Sequence, residues 1–203
     1  MRQWRVIGVA LLAMGCAGVQ RFDAAERATA TSPRGDLAAE YEIVGASGQL
    51  AETKVWLRGA YEDRVDGREM TVIEVVFEVE NEGGAPVTLS NVRIDSARAS
   101  GVDFEELRPF RLEGDRVVEP GGEGTLRAYF ALPQRYDPED IAGLEVGWSL
   151  EHAEGTYAQR TPFQQVPEYF SGYPYVYPVY TPWPADPFLY SIAPAPVETM
   201  PPA

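Results

Sequence analysis

Alternating apolar and polar residues in the middle of the chain predict β-strands with one face turned inward. In residues 71–80 every second residue is apolar, and the pattern stops at Asn81-Glu82-Gly83-Gly84, where glycine permits the positive φ of a hairpin turn. Residues 125–132 and 144–150 alternate in the same way. The apolar faces of these three strands predict a shared core.

Weaker strand patterns surround these three. They cover residues 53–61, 87–94, 104–112 and 155–163, and turn signals such as Asp66-Gly67 separate them. Seven short strands at roughly ten-residue spacing, with no long helical period, predict an all-β antiparallel sandwich. One helical turn is expected at residues 137–141, where an aspartate precedes a proline.

The two tryptophans of these strands are predicted to differ in burial. Trp148 shares the apolar parity of its strand, so we expect it in the core beside Phe77 and Phe130. Trp56 has the opposite parity from its apolar neighbours and is flanked by charged residues, so we expect it to tolerate substitution.

The N-terminus has the layout of a secretory signal. Two arginines precede the apolar run 6–14, which is too short to span a bilayer, and Gly15 stands directly before the only cysteine, Cys16. Residues 12–16 resemble the lipobox of bacterial lipoproteins, which implies cleavage after residue 15 and a diacylglycerol thioether on Cys16. Ala17 follows the cysteine where an aspartate would signal inner-membrane retention, so the resemblance implies the outer membrane.

Residues 16–40 are predicted to form a lipidated, flexible tether. This stretch is rich in Ala, Thr, Ser, Arg and Asp and has few large apolar residues. Burial would therefore not offset its ordering entropy. The sandwich is then expected to occupy residues 41–166.

Composition changes sharply after Val166. Residues 167–203 contain ten prolines and nine aromatic residues, and no lysine or arginine follows Arg160. Proline removes backbone donors and fixes φ, so we expect an extended chain that displays aromatic side chains. The candidate binding residues are Tyr173, Tyr175, Tyr177, Tyr180 and Trp183. Two alternatives are a tail that folds back on its own sandwich and a tail with no binding role.

The region 51–166 resembles the immunoglobulin-like domains of bacterial lipoproteins and cell-envelope proteins. The resemblance rests on the strand ending at Asn81, the turn and strand over residues 120–133, and the strand around Trp148. It implies a sandwich without the cysteine bridge of antibody domains, and it does not imply a function.

Charge narrows the classes of partner. The chain carries a formal charge of −14. An acidic surface of this kind repels nucleic acid and anionic headgroups, so nucleic-acid binding is disfavoured. The single cysteine leaves no disulfide to stabilise the domain.

The sequence offers little catalytic chemistry. Its one histidine, His152, stands close to a turn, and the chain has no nucleophile elbow, phosphate loop or zinc motif. Acidic clusters at residues 62–69, 103–106 and 137–140 supply the oxygen ligands that calcium prefers, but none has the spacing of a known calcium loop. A solvated acidic turn is the simpler explanation for each, and helix capping already explains the third. We therefore assign no metal and no cofactor.

Three functions compete. The leading hypothesis is a non-catalytic envelope lipoprotein that presents its sandwich and its tail to another protein. The second is a carbohydrate- or peptidoglycan-binding module, which a cluster of coplanar exposed aromatics would favour. The third is a hydrolase with a carboxylate pair in a cleft.

Overall fold

Residues 19–166 are described by a computed structural model, and they form an all-β antiparallel sandwich. The antiparallel sandwich that the sequence predicts is therefore confirmed. In this part of the chain no helix is long and apolar enough to cross a bilayer. The twelve strands of the described residues are β1 (Phe22–Ala24), β2 (Ala30–Thr31), β3 (Leu37–Gly45), β4 (Gly48–Val65), β5 (Arg68–Asn81), β6 (Val87–Ala99), β7 (Val102–Leu107), β8 (Arg111–Gly114), β9 (Val117–Val118), β10 (Glu123–Ala131), β11 (Ile141–His152) and β12 (Gly155–Gln165).

The strands form two sheets. Sheet I has the order β1-β12-β11-β6-β7, with the short β9 also paired to β6, and sheet II has the order β2-β3-β4-β5-β10-β8. The hairpin between β4 and β5 turns at Asp66-Gly67, where both residues have positive φ, as the turn signal predicts. The expected helical turn is a 3₁₀ turn, Pro138–Asp140, and the Asp137 side chain caps it by accepting from the amide of Glu139 at 3.1 Å.

The core lies between the two sheets and is built from their inward-facing residues. Trp148 is buried there, and its ring meets Phe77 edge-on with centroids 5.9 Å apart, while Phe130 is buried in the same cluster. A second ring, Tyr41, lies 5.2 Å from Trp148, and the indole Nε1 donates to Thr161 Oγ1 at 3.1 Å. Thus the inward placement of Trp148 is confirmed.

The flexible tether predicted for residues 16–40 is wrong for residues 19–40. Phe22 is fully buried, and β1 extends sheet I by pairing with β12. Gln20 exchanges two backbone hydrogen bonds with Ala60, at 2.9 and 3.0 Å, beside Gly59, where a Cβ atom would lie 2.8 Å from the Gln20 carbonyl oxygen. A segment with few large apolar residues is ordered here because existing strand edges satisfy its backbone and because its phenylalanine and three of its alanines are buried. The sandwich therefore begins about twenty residues before the predicted boundary at residue 41.

The single strand predicted at residues 104–112 is also wrong. It is two strands in different sheets, since β7 pairs with β6 and β8 pairs with β10. Pro109 lies between them and has no backbone N–H to donate to a ladder, and the chain crosses from one sheet to the other at this point. The strands β1, β2, β3 and β9 have no counterpart among the seven predicted, and the division of residues 104–112 adds one more, which gives the twelve strands of the described residues.

Candidate functional site

A groove opens at the free edge of sheet I, in a gap between β7 and β9. On this side β6 pairs with β7 from Ile94 onward and with β9 through Val87 and Thr88. Residues 90–93 therefore pair with β11 on one side of β6 and with no described strand on the other. The groove has a volume of about 390 Å³. We call it the arginine groove. Its polar lining residues are Ser90, Asn91, Arg93, Glu106, Arg108 and Arg116, and its apolar lining residues are Leu89, Val92, Pro109, Leu112 and Leu126.

Irregular backbone shapes this groove. Between the pairs Ser149/Ser90 and Gly147/Arg93, β6 contains one residue more than β11, which is a β-bulge. Asn91 in the bulge and Glu106 at the end of β7 both have left-handed backbone, with φ of 51° and 49°. This region is unfavourable for residues other than glycine, and such residues are concentrated at ligand-binding and switch sites.

Three arginines bring positive charge to the groove of an acidic protein. Arg93 is paired with Asp95, and Arg108 with Glu106 at 3.0 Å. The side chain of Arg116 forms no hydrogen bond or ion pair with any of residues 19–166, although its backbone carbonyl accepts from the amide of Leu89 at 2.8 Å. One guanidinium at the groove is thus without a carboxylate partner in the described structure.

The floor of the groove is the core itself. Leu89 and Leu126 are buried members of the main apolar cluster, and Leu112 on β8 is 39% exposed beside them. The groove therefore combines a charged rim with an apolar base, as ligand-binding clefts commonly do.

An exposed apolar strip borders the groove. We define the β8 edge as residues 108–118, the segment that contains β8 at the edge of sheet II. Phe110 and Val117 are 44% and 51% exposed, and all four residues of β8 are exposed. The Arg111 guanidinium lies over the Tyr129 ring, 3.9 Å from its centroid, and so holds this surface in place.

Tyr129 links the β8 edge to sheet II. Its hydroxyl donates to Glu113 Oε2 at 3.0 Å. Burial, followed by this bond to a carboxylate, raises the pKa of Tyr129, so the phenol stays a donor at neutral pH.

In the structure, carboxylates of the three predicted acidic clusters form ion pairs with arginines or cap a turn. Arg135 binds both Glu62 and Glu69, and Arg98 donates to Asp103 at 2.7 Å and lowers the pKa of that carboxyl. In the 137–140 cluster, Asp137 caps the 3₁₀ turn. Residues 19–166 contain no group of three His, Cys, Asp or Glu side chains that could hold a metal ion.

His152 has a local role in its turn. Its Nδ1 accepts from the amide of Glu154 at 3.2 Å, while the buried Nε2 has no hydrogen-bond partner among the described residues. This nitrogen lies against the 81–84 turn, where it would be 3.4 Å from a Cβ placed on Gly83.

The only carboxylate of the arginine groove is Glu106, so the groove lacks the carboxylate pair that would indicate a hydrolase.

Both sets of sequence-predicted site residues fall outside the described residues. Cys16 precedes residue 19, and Tyr173, Tyr175, Tyr177, Tyr180 and Trp183 follow residue 166. Within residues 19–166, Phe110 is the only aromatic side chain that is largely exposed, while Tyr61, Phe104 and Tyr157 are partly buried.

Sequence reasoning missed the arginine groove. A signal was available, since an acidic chain places five arginines between positions 93 and 116. Their convergence depends on the crossing at Pro109 and on the bulge in β6, and neither has an alternation pattern.

Comparison with known families finds no family model that matches the chain, and comparison with curated proteins likewise finds no match.

Proposed function

We propose that this chain is a non-catalytic lipoprotein of the cell envelope that binds another envelope protein through its sandwich and its C-terminal residues. The lipid on Cys16 anchors it, and the absence of an aspartate after that cysteine directs it to the outer membrane. The basis of this half of the proposal is the signal-like segment 1–16 and its resemblance to a lipobox.

The observation that carries the binding half is the exposed β8 edge. Six large apolar side chains are exposed among residues 19–166, and three of them, Phe110, Leu112 and Val117, lie within eight consecutive positions. Clustered exposed apolar residues mark interaction surfaces more often than scattered ones do. Because β8 is also an edge strand, its free side offers backbone groups to a partner.

The same surface is preorganised for binding. Arg111 stacks on Tyr129 and lies 5.9 Å from the centroid of Phe110, and Tyr129 is bonded to Glu113. Side chains that are already ordered lose less entropy when a partner binds. The partner that fits this edge offers an apolar surface of its own with polar groups at the margin.

Cross-linking in intact cells tests the binding half. A photoreactive residue at position 110 is expected to join the chain to one protein of defined mass. The matched control is position 44, where Val44 is 60% exposed on another part of the sandwich. Equal adducts from both positions, or none from position 110, would contradict a contact at the β8 edge.

Lipid labelling tests the anchor. The wild-type chain is expected to incorporate labelled fatty acid and to fractionate with outer membranes. Cys16→Ala should abolish the label and leave an uncleaved or soluble periplasmic form, because stable anchoring needs at least two acyl chains. Soluble wild-type protein that incorporates no lipid would refute the anchor while leaving the contact at the β8 edge open to the cross-linking test.

A further inference from the structure

We propose that the arginine groove binds a small aliphatic carboxylate, with the head group at Arg116 and the chain against Val92, Pro109 and Leu112. The site goes beyond the proposed partner binding and is independent of the anchor. Three features of the described residues converge on it: the gap in sheet I, the unpartnered guanidinium and the apolar floor.

The groove is maintained at an energetic cost. A regular ladder would continue β7 or β9 along residues 90–93, yet the bulge and the left-handed Asn91 and Glu106 keep this edge open. Left-handed backbone is unfavourable for a glutamate in particular and persists where surrounding structure holds it. Such a gap is poorly explained as a device for stability, because pairing the edge would satisfy more backbone groups.

Charge selects a monoanion. Two guanidiniums of the groove already pair with carboxylates, since Arg93 is paired with Asp95 and Arg108 with Glu106. Of the three groove arginines, only Arg116 lacks a side-chain partner among the described residues, so one additional negative charge balances the rim. A carboxylate fits a guanidinium with two parallel hydrogen bonds. The second charge of a dianion would be repelled by Glu106 and by the chain's overall charge of −14.

The floor selects an aliphatic chain behind that head group. Val92 and Pro109 are partly exposed and Leu112 is 39% exposed, so these three lining residues offer apolar surface to a ligand. Leu89 and Leu126 also line the groove but are buried. The volume of about 390 Å³ lies near the lower end for small-molecule sites, which span about 300–1,000 Å³. A chain of medium length fills such a space.

Titration of the full chain carrying Cys16→Ala, followed by amide chemical shifts, tests the proposal with three probes. Octanoate has both head and chain, 1-octanol lacks the charge, and acetate lacks the chain. Octanoate is expected to shift the amides of residues 89–93 and 106–116 and to bind at least about tenfold more tightly than either other probe. Tight binding of 1-octanol would overturn the role of the arginines, and equal binding of acetate would overturn the role of the floor.

Matched arginine variants locate the head group. Arg116→Ala is expected to weaken octanoate binding about five- to tenfold, the loss of one charge-assisted hydrogen-bonded contact. Arg127→Ala is the control, because Arg127 is an exposed arginine of β10 between two inward-facing residues and has no ion pair with the described residues. It should leave the affinity unchanged.

Two results would refute the site. Equal losses from Arg116→Ala and Arg127→Ala would mean a general effect of surface charge. Shifts that do not saturate, or that fall outside residues 89–93, residues 106–116 and Leu126, would mean that octanoate binds elsewhere. Thermal melting of each variant separates these results from misfolding, and the comparison of the three probes needs no variant.

Discussion

The two tryptophans of the sandwich illustrate how far strand parity predicts burial. Trp148 points inward as its parity indicates, whereas Trp56 points to the outer face of sheet II but is only 8% exposed. There it packs with Ala38 and Val76 in a separate small cluster. Strand parity alone therefore does not predict the burial of Trp56, and the expectation that Trp56 tolerates substitution better than Trp148 stays a prediction.

Alanine substitutions are expected to rank these two sites. Trp148→Ala should cost about 3–5 kcal/mol of unfolding free energy, since it empties a fully packed position and leaves Thr161 without its indole donor. Trp56→Ala should cost clearly less, because its cluster has three buried members. Chemical denaturation of both variants measures the difference, and equal losses would contradict the distinction between core and outer cluster.

Asp23 on β1 makes stability depend on pH. Burial raises the pKa of its carboxyl above the ordinary value of 3.8, opposed by the hydrogen bond from the Leu37 amide at 2.9 Å and increased by nearby Asp36. A carboxyl with a raised folded pKa adds stability below its unfolded pKa, and this contribution is lost as pH rises through the folded pKa.

Asp23→Asn keeps the acceptor for Leu37 and removes the ionisation. We therefore expect the stability of the variant relative to wild type to increase as pH rises from about 3 to 6. Urea midpoints across this range measure the trend. A difference that stays constant with pH would show that Asp23 does not titrate differently in the folded and unfolded states.

Among the elements, the N-terminal strands differ most from the sequence interpretation. β1 has three residues and β2 has two, so neither is long enough to show a period of two. These two strands are ordered because β1 pairs with the edge of β12 and β2 pairs with the edge of β3. Long strands such as β5 and β11 show clear alternation because each buries a whole face, and the sequence predicts them well.

A pair of phenylalanine variants tests whether this segment belongs to the fold. Phe22→Ala is expected to lower unfolding free energy by about 3–5 kcal/mol, because the ring is fully buried between the sheets. Phe110→Ala, at an exposed position, should change it little. If both variants melt like wild type, residues 19–24 do not contribute to the sandwich.

At the scale of the whole molecule, every described strand precedes Pro167. Truncation after Val166 is therefore expected to leave the melting temperature nearly unchanged while association with an envelope partner falls. Calorimetry and cross-linking from position 110 measure the two effects separately. A much lower melting temperature would contradict the first expectation, and undiminished cross-linking would place the partner contact on the sandwich alone.

The sequence by itself determined the strands whose alternation is long enough to read, including the inward faces that contain Phe77, Phe130 and Trp148. It also determined the sandwich class, because burying such faces requires two layers. Only the tertiary structure decided that residues 19–40 adopt an ordered conformation and that Trp56 is buried. It also decided that Arg93, Arg108 and Arg116 converge on one groove. Each of these depends on contacts between residues far apart in the chain, and local periodicity contains no information about such contacts.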